Sequence, residues 1–275
     1  MTPWPSGAAA GLADELRRLG DALRGALREA FAARGRLEVR AKSTAHDLVS
    51  DADRRIEAEV RALLAAARPE DGFVGEESGG DGVRHGRRWV VDPIDGTMNF
   101  VHGLPWACSS VGLVEEGVAT AGIVVAPFSD DLYLCAGTGS ERNGEAVAVA
   151  PGGDLGGAMV LLEVPSGTSP SVLAPVADMV IAAGGSPRTM GSGALAMALA
   201  AAGVVQGVVH AGPSVWDVAA GVALVTQAGG VVRSASGPYV LGEPGPLVAG
   251  SEATAERLAE ALGRCPAVTS GRRRG

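Results

Sequence analysis

Leu12, Leu16, Leu19, Leu23, Leu27 and Phe31 fall three or four residues apart, with arginines and acids between them. That stripe predicts an amphipathic helix over residues 11–33, after a loose lead-in at 1–10. A polar connection at 42–53 leads into a second helix that runs to about residue 67. Ile56, Val60, Leu63 and Leu64 supply its buried face, Ser50 and Asp53 have the spacing of a capping box, and Pro69 follows its end. The period then changes. Short apolar runs predict strands at 73–74, 89–91, 107–114, 118–125, 132–136 and 146–149, with hairpin turns at Glu116-Gly117 and Asn143-Gly144 and a flexible loop at 79–86. The glycine-rich stretch 151–157 is the best internal boundary. Beyond it the pattern alternates: strand 158–163, helix 171–183, strand 188–190, helix 193–202, strand 204–210, helix 216–228, strands 231–232 and 247–249, helix 252–262. The class is therefore α+β or α/β: helices and an antiparallel meander over 11–150, then a helix-covered sheet over 158–262.

Apolar residues make up 47% of the chain, enough for a sizeable core, but aromatics are only 4%, so Ala, Val and Leu must fill it. The 23 basic and 31 acidic residues leave a net charge of −8, which argues against nucleic acid as the partner. No apolar run reaches the ~18 residues of a membrane span, and Met1-Thr2-Pro3-Trp4-Pro5 lacks a basic-then-apolar leader pattern. No membrane partner and a cytoplasmic location are expected. Cys108, Cys135 and Cys265 are unclustered, so neither a disulfide framework nor a zinc site is indicated. Lys42 is the sole lysine; it marks either a place where a compact ammonium is needed or an ordinary solvated surface residue. Arg272-Arg273-Arg274 is expected to be solvated charge.

The candidate chemistry gathers at residues 87–100. The apolar run Trp89-Val90-Val91 drives into Asp92; Pro93 is expected to end ladder pairing, and Asp95-Gly96-Thr97 follows. Gly96 permits a tight turn, and Thr97 opens a short helix whose first N–H groups, with that of Gly96, face outward toward an anion. Two such carboxylates repel each other unless a cation sits between them. Asp-Pro and Asp-Gly are also ordinary turn chemistry, so this stretch alone leaves a structural reading open. Aspartyl-nucleophile phosphatases end a strand in D-x-D-G-T with the aspartates two apart; here they are three apart, with Pro93 between. Glu76 and Glu77 after one strand, Asp53 in the capping box and Asp217 in a first helical turn likewise each have a structural explanation when taken singly.

Taken together, K-x4-D-L-V-S-D-A-D from Lys42, G-E-E-S from Gly75, W-V-V-D-P-I-D-G-T-M-N-F from Trp89 and W-D-V-A-A-G from Trp216 resemble the inositol monophosphatase family of magnesium-dependent, lithium-sensitive phosphatases. The resemblance covers about residues 11–262. It implies a single domain over 1–275, the layered α-β-α-β-α sandwich shared with fructose-1,6-bisphosphatase, a homodimer, and two or three Mg2+ ions per site. The oxygen-only donors suit a hard cation. By the resemblance, Glu76, Asp92 and the Ile94 carbonyl hold one ion, and Asp92, Asp95 and Asp217 hold a second. A looser third lies by Glu76. Thr97, oriented by Asp53, positions the attacking water together with Glu76, and Lys42 and Asp47 match further residues near the catalytic site. Asp95, Gly96, Thr97, Gly191, Ser192, Gly193, His210 and Asp217 are the expected substrate contacts.

Specificity is where the chain departs from the family pattern. Inositol-selective members have a glutamate seven residues before the aspartate of W-D; this chain has His210. A histidine there accepts or donates a bond to substrate, or else ends a buried strand as a satisfied polar group. Inositol 1-phosphate is the first expectation, with histidinol phosphate, fructose 1,6-bisphosphate and other sugar or cyclitol phosphates open. A nucleotide 3'-phosphate is less expected, because those relatives carry D-P-L-D-G-T and a charged pair. A catalytically idle metal- and phosphate-binding protein is the rival from another class. A nucleotide-binding sheet protein lacks its glycine motifs.

Overall fold

The computed structural model describes residues 6–41, 48–80, 82, 85–165 and 168–265. Two long helices, α1 (Ser6–Ala33) and α2 (Asp51–Ala67), lie on one face of a seven-stranded sheet, joined by a small hairpin of β1 (Val39–Ala41) and β2 (Leu48–Ser50). That sheet runs in the order β3 (Gly72–Gly75), β4 (Arg87–Asp95), β5 (Cys108–Glu115), β6 (Val118–Ala126), β7 (Asp131–Cys135), β8 (Ser140–Arg142), β9 (Glu145–Val147). Only β3 and β4 are parallel; the rest is the expected meander. Glu116-Gly117 and Asn143-Gly144 all have positive φ, as tight hairpin turns demand.

The second sheet has the order β11 (Ser186–Arg188), β10 (Met159–Glu163), β12 (Gly207–His210), β15 (Leu247–Gly250), β13 (Val231–Ser234), β14 (Gly237–Pro238). Helices α4 (Ala174–Ala182) and α7 (Glu252–Leu262) cover its outer face. Between the two sheets lie α5 (Gly193–Ala201) and α6 (Val215–Gln227), whose residues form one continuous apolar cluster with both. The architecture is thus two mixed sheets and three helical layers, α-β-α-β-α. The middle layer is thin because it is built from Ala and Gly. A Cβ on Gly112 or Gly122 of the first sheet would stand within 3 Å of Ala219 or Ala220, and one on Gly221 would meet Met197 at 2.4 Å.

Several boundaries differ from the sequence expectation. Helix α1 starts at Ser6 rather than residue 11, and β8, β14 and the β1–β2 hairpin are additional. Strand β4 continues through Pro93: pairing with β5 lapses after Asp92 and resumes at Asp95↔Cys108. The expected helix 171–183 splits into a 3-10 turn, Pro170–Leu173, and α4, with Pro175 in the first turn of the α-helix. The strand expected at 204–210 begins at Gly207, because the Val204 N–H caps α5 on the Leu199 carbonyl. Among the described residues, no helix is long and apolar enough to cross a membrane.

Candidate active site

The ends of β4, β10 and β12 and the starts of α3 (Thr97–His102), α5 and α6 surround a cleft of about 570 Å³. Glu76, Asp92, Ile94, Asp95, Gly96, Thr97, Gly191, Gly193, His210 and Asp217 line it, so most of the expected site residues meet there. No arginine or lysine is among the described lining residues. Lys42 and Asp47 lie outside the described residues.

Asp92 is 2% exposed, and its Oδ1 is buried without a hydrogen-bond partner among the described residues. Burial first, then the charges of Glu76, Asp95 and Asp217, push its carboxyl well above the usual range. Asp95 is raised to about 6 by burial, and two donors oppose the shift: the Ser192 hydroxyl at 2.6 Å and the Ala194 N–H at 2.7 Å, both on Oδ2. Ser192, expected to meet substrate, therefore spends its hydroxyl on Asp95 and is only 1% exposed. Asp217 closes a capping box with Ser214 at the start of α6, its Oδ2 accepting the Ser214 N–H at 2.7 Å. The expected structural reading of Asp217 holds, and the same residue lines the cleft. Among the described residues no three acidic, histidine or cysteine side chains close into a ready coordination set. Facing like charges, Asp95 and Asp217 have each turned an oxygen to N–H or O–H donors. The orphaned Asp92 oxygen, repelled from three sides, is the feature a cation fits.

Thr97 reaches backward. Its hydroxyl lies 2.9 Å from the Ile94 carbonyl and 3.2 Å from Asp53 Oδ1, while Asp53 Oδ2 holds Ser50 N–H and O–H at 2.8 and 2.6 Å. The capping box of α2 is therefore wired to the cleft. Gly96, at φ 84°, has no room for a side chain: a Cβ would stand 2.7 Å from the Trp106 carbonyl.

Three residues that pattern reasoning missed hold these parts in place. Glu163, at the end of β10, accepts the N–H groups of Met190 and Gly191 at 2.9 and 2.8 Å. Burial raises its carboxyl to about 7 despite those donors. This bonding explains why β11 ends at Arg188, two residues short of the expected strand end at Met190: the 190–191 backbone is clamped by a side chain, not a ladder. Asn99 Nδ2 donates to the Met190 carbonyl on the other side. Glu57, on α2, accepts the Glu77 N–H at 2.8 Å and occupies the space a side chain on Gly75 would need. The legible signal for Glu163 was an acid directly after the apolar run Met159–Leu162; for Glu57, an acid beside the Ile56 stripe.

Residues 12–267 match the model of the inositol monophosphatase family. The chain belongs to the inositol monophosphatase family. It is 36% identical over 221 residues to an inositol-1-monophosphatase of Mesorhizobium japonicum, covering 78% of this chain and 83% of that relative. It is 34% identical over 230 residues to the Nus factor SuhB of Xylella fastidiosa, covering 78% and 82%. Among solved structures, the extragenic suppressor protein SuhB of Bartonella henselae superposes with a TM-score of 0.86 at 30% identity, over 92% of this chain and 99% of that one. As a member of this family of metal-dependent phosphatases, the chain carries the expected layered fold.

Proposed function

We propose that the protein hydrolyses the phosphate monoester of a small polyol, inositol 1-phosphate first, in a Mg2+-dependent reaction. The observation that carries this reading is the buried, unpartnered Asp92 oxygen facing Glu76, Asp95 and Asp217 across an otherwise acidic cleft. Glu76, Asp92 and the Ile94 carbonyl would hold one ion, Asp92, Asp95 and Asp217 a second, and Glu76 would border a third. When bound, the ions supply Lewis-acid polarisation of the phosphate and a water of lowered pKa. The Thr97 hydroxyl, held between Asp53 Oδ1 and the Ile94 carbonyl, would orient the attacking water beside Glu76 through its lone pairs. The N–H groups of Gly96 and Thr97 receive the phosphate oxygens as negative charge builds on them. Lys42 and Asp47 complete the catalytic surroundings. Gly191, Gly193 and His210 face the alcohol part of the substrate, while Ser192 acts through Asp95. The working assembly is a homodimer in the cytoplasm.

The test is a phosphate-release screen over inositol 1-phosphate, histidinol phosphate, fructose 1,6-bisphosphate and glycerol 2-phosphate, with and without Mg2+ and with Li+. Mg2+-dependent, Li+-sensitive release from inositol 1-phosphate well above the others supports the reading, and dominance of another ester reassigns the substrate. Silence from folded protein that binds Mg2+ would replace the enzyme with a metal- and phosphate-binding protein acting by contact, a reading that the similarity to a relative named as a Nus factor keeps in view.

A further inference from the structure

Ser110 of β5 and Asp92 of β4 stand directly opposite each other in the ladder, at the last regular pair before the register shifts. They share a face. On β4, Val90 joins the apolar cluster of α5 and α6, whereas Trp89 and Val91 join the cluster under α1 and α2. On β5, Cys108 and Val114 take the first side, Val111 and Leu113 the second. Strand alternation therefore turns Asp92 and Ser110 alike toward the middle layer. They are 2% and 0% exposed, and each has a side-chain oxygen without a hydrogen-bond partner among the described residues: Asp92 Oδ1 and Ser110 Oγ. The neighbour of Ser110 across the other ladder is Val124 of β6, whose side chain has no acceptor. Side chains opposite each other in an antiparallel pair have Cβ atoms about 5 Å apart, a distance that one rotamer step of a serine closes to a hydrogen bond.

We propose that Ser110 is a positioning residue for Asp92, donating its hydroxyl to Oδ1 when the carboxylate holds a divalent cation. This rests on the metal-dependent reading above and deepens it. The neighbouring aspartates show the same device: the Ser192 hydroxyl holds Asp95 Oδ2, the Ser50 hydroxyl holds Asp53 Oδ2, and the Ser214 N–H holds Asp217 Oδ2. For Asp92 Oδ1 the serine across the ladder stands in the corresponding place. A carboxylate oxygen has two lone pairs. A cation takes one of them, and in a buried site the second needs a donor. A serine supplies that donor without a charge, so it orients the carboxylate and does not compete with the cation as an arginine would. In the metal-free protein the same hydroxyl makes no bond, so its loss there costs the fold nothing.

The experiment compares full-length wild type with Ser110→Ala. Calorimetric titration with Mg2+ is expected to give a Kd about 10-fold weaker in the variant. Urea midpoints in chelator are expected to be equal, or higher in the variant, because a buried hydroxyl without a partner has been removed. A crystal structure of the Mg2+-loaded wild type gives an independent check: Ser110 Oγ is expected within hydrogen-bond reach of Asp92 Oδ1, and a bond to a different acceptor overturns the proposal. A variant that is less stable in chelator but binds Mg2+ as tightly as wild type also overturns it, since the hydroxyl would then support only the fold. Wild type that binds no Mg2+ removes the metal-dependent reading and the proposal with it. Wild type that binds Mg2+, with Ser110→Ala binding it equally well, removes the proposal alone.

Discussion

Asp53 Oδ1 lies 3.2 Å from the Thr97 hydroxyl, while the other oxygen of the same carboxylate caps α2 through Ser50. One residue thus fixes both a helix start and a hydroxyl at the cleft. Thr97→Ala should lower kcat about 100-fold with little change in thermal midpoint. Thr97→Ser should restore most of it. Asp53→Ala should show both losses, with an added cost of about 1 kcal/mol for the cap. Steady-state kinetics and melting curves on the three variants decide the matter; a fully active Thr97→Ala would remove the hydroxyl from the mechanism.

Asp92 gives a prediction of opposite sign for stability and activity. Asp92→Asn removes a buried charge repelled by three others. In chelator at pH 8 the variant should be more stable than wild type by about 1–3 kcal/mol. Added Mg2+ should reverse the order, since it stabilises wild type by about 2.7 kcal/mol at 100 times its Kd. Phosphate release should fall at least ~100-fold. Urea unfolding with and without Mg2+ reads the first two effects, and a variant less stable in chelator would refute the account of the orphaned oxygen.

Glu163 predicts a pH dependence. Its folded-state pKa, about 7, lies above the 4.5 of an unperturbed glutamate, so the folded state holds the proton more tightly. The stability this contributes is full below about pH 4.5 and is lost as pH rises through 7. Relative to Glu163→Gln, wild type should therefore lose up to about 3 kcal/mol between pH 4.5 and pH 8. His210, lowered to about 3, acts oppositely, favouring the folded state as pH rises toward 6.5, but it is present in both proteins and cancels. Parallel stability curves for the pair would disprove this.

Gly96→Ala forces a side chain into positive φ and within 2.7 Å of the Trp106 carbonyl. A loss of about 1–3 kcal/mol is expected. The turn joining Asp95 to Thr97 must shift, so phosphate release should fall further than stability alone explains. Unchanged kinetics in the folded variant would mean that the turn does not set the site.

Local signals were legible where they are short-ranged. The Ser50–Asp53 capping box, the two hairpin turns with positive φ, and α7 at residues 252–262 all rest on neighbours within a few positions. The carboxylates that line the cleft were legible because they stand at element ends. Glu163 and Glu57 were not, because each acts on backbone N–H groups 20 or more residues away, and no spacing rule encodes such a reach.

The thin middle layer has a consequence for how this chain can change over time. Cleft residues come from both sheets, and α5 and α6 sit between them, with glycines of one element pressed against alanines or methionine of the next. One added methyl group there would wedge the two sheets apart and misalign groups that must meet across the cleft. The outer helices α1, α2, α4 and α7 have solvent on one side and no such constraint. A saturation-mutagenesis map should therefore darken from the outside inward, with the small, chemically inert residues of α5 and α6 nearly as intolerant as the carboxylates themselves.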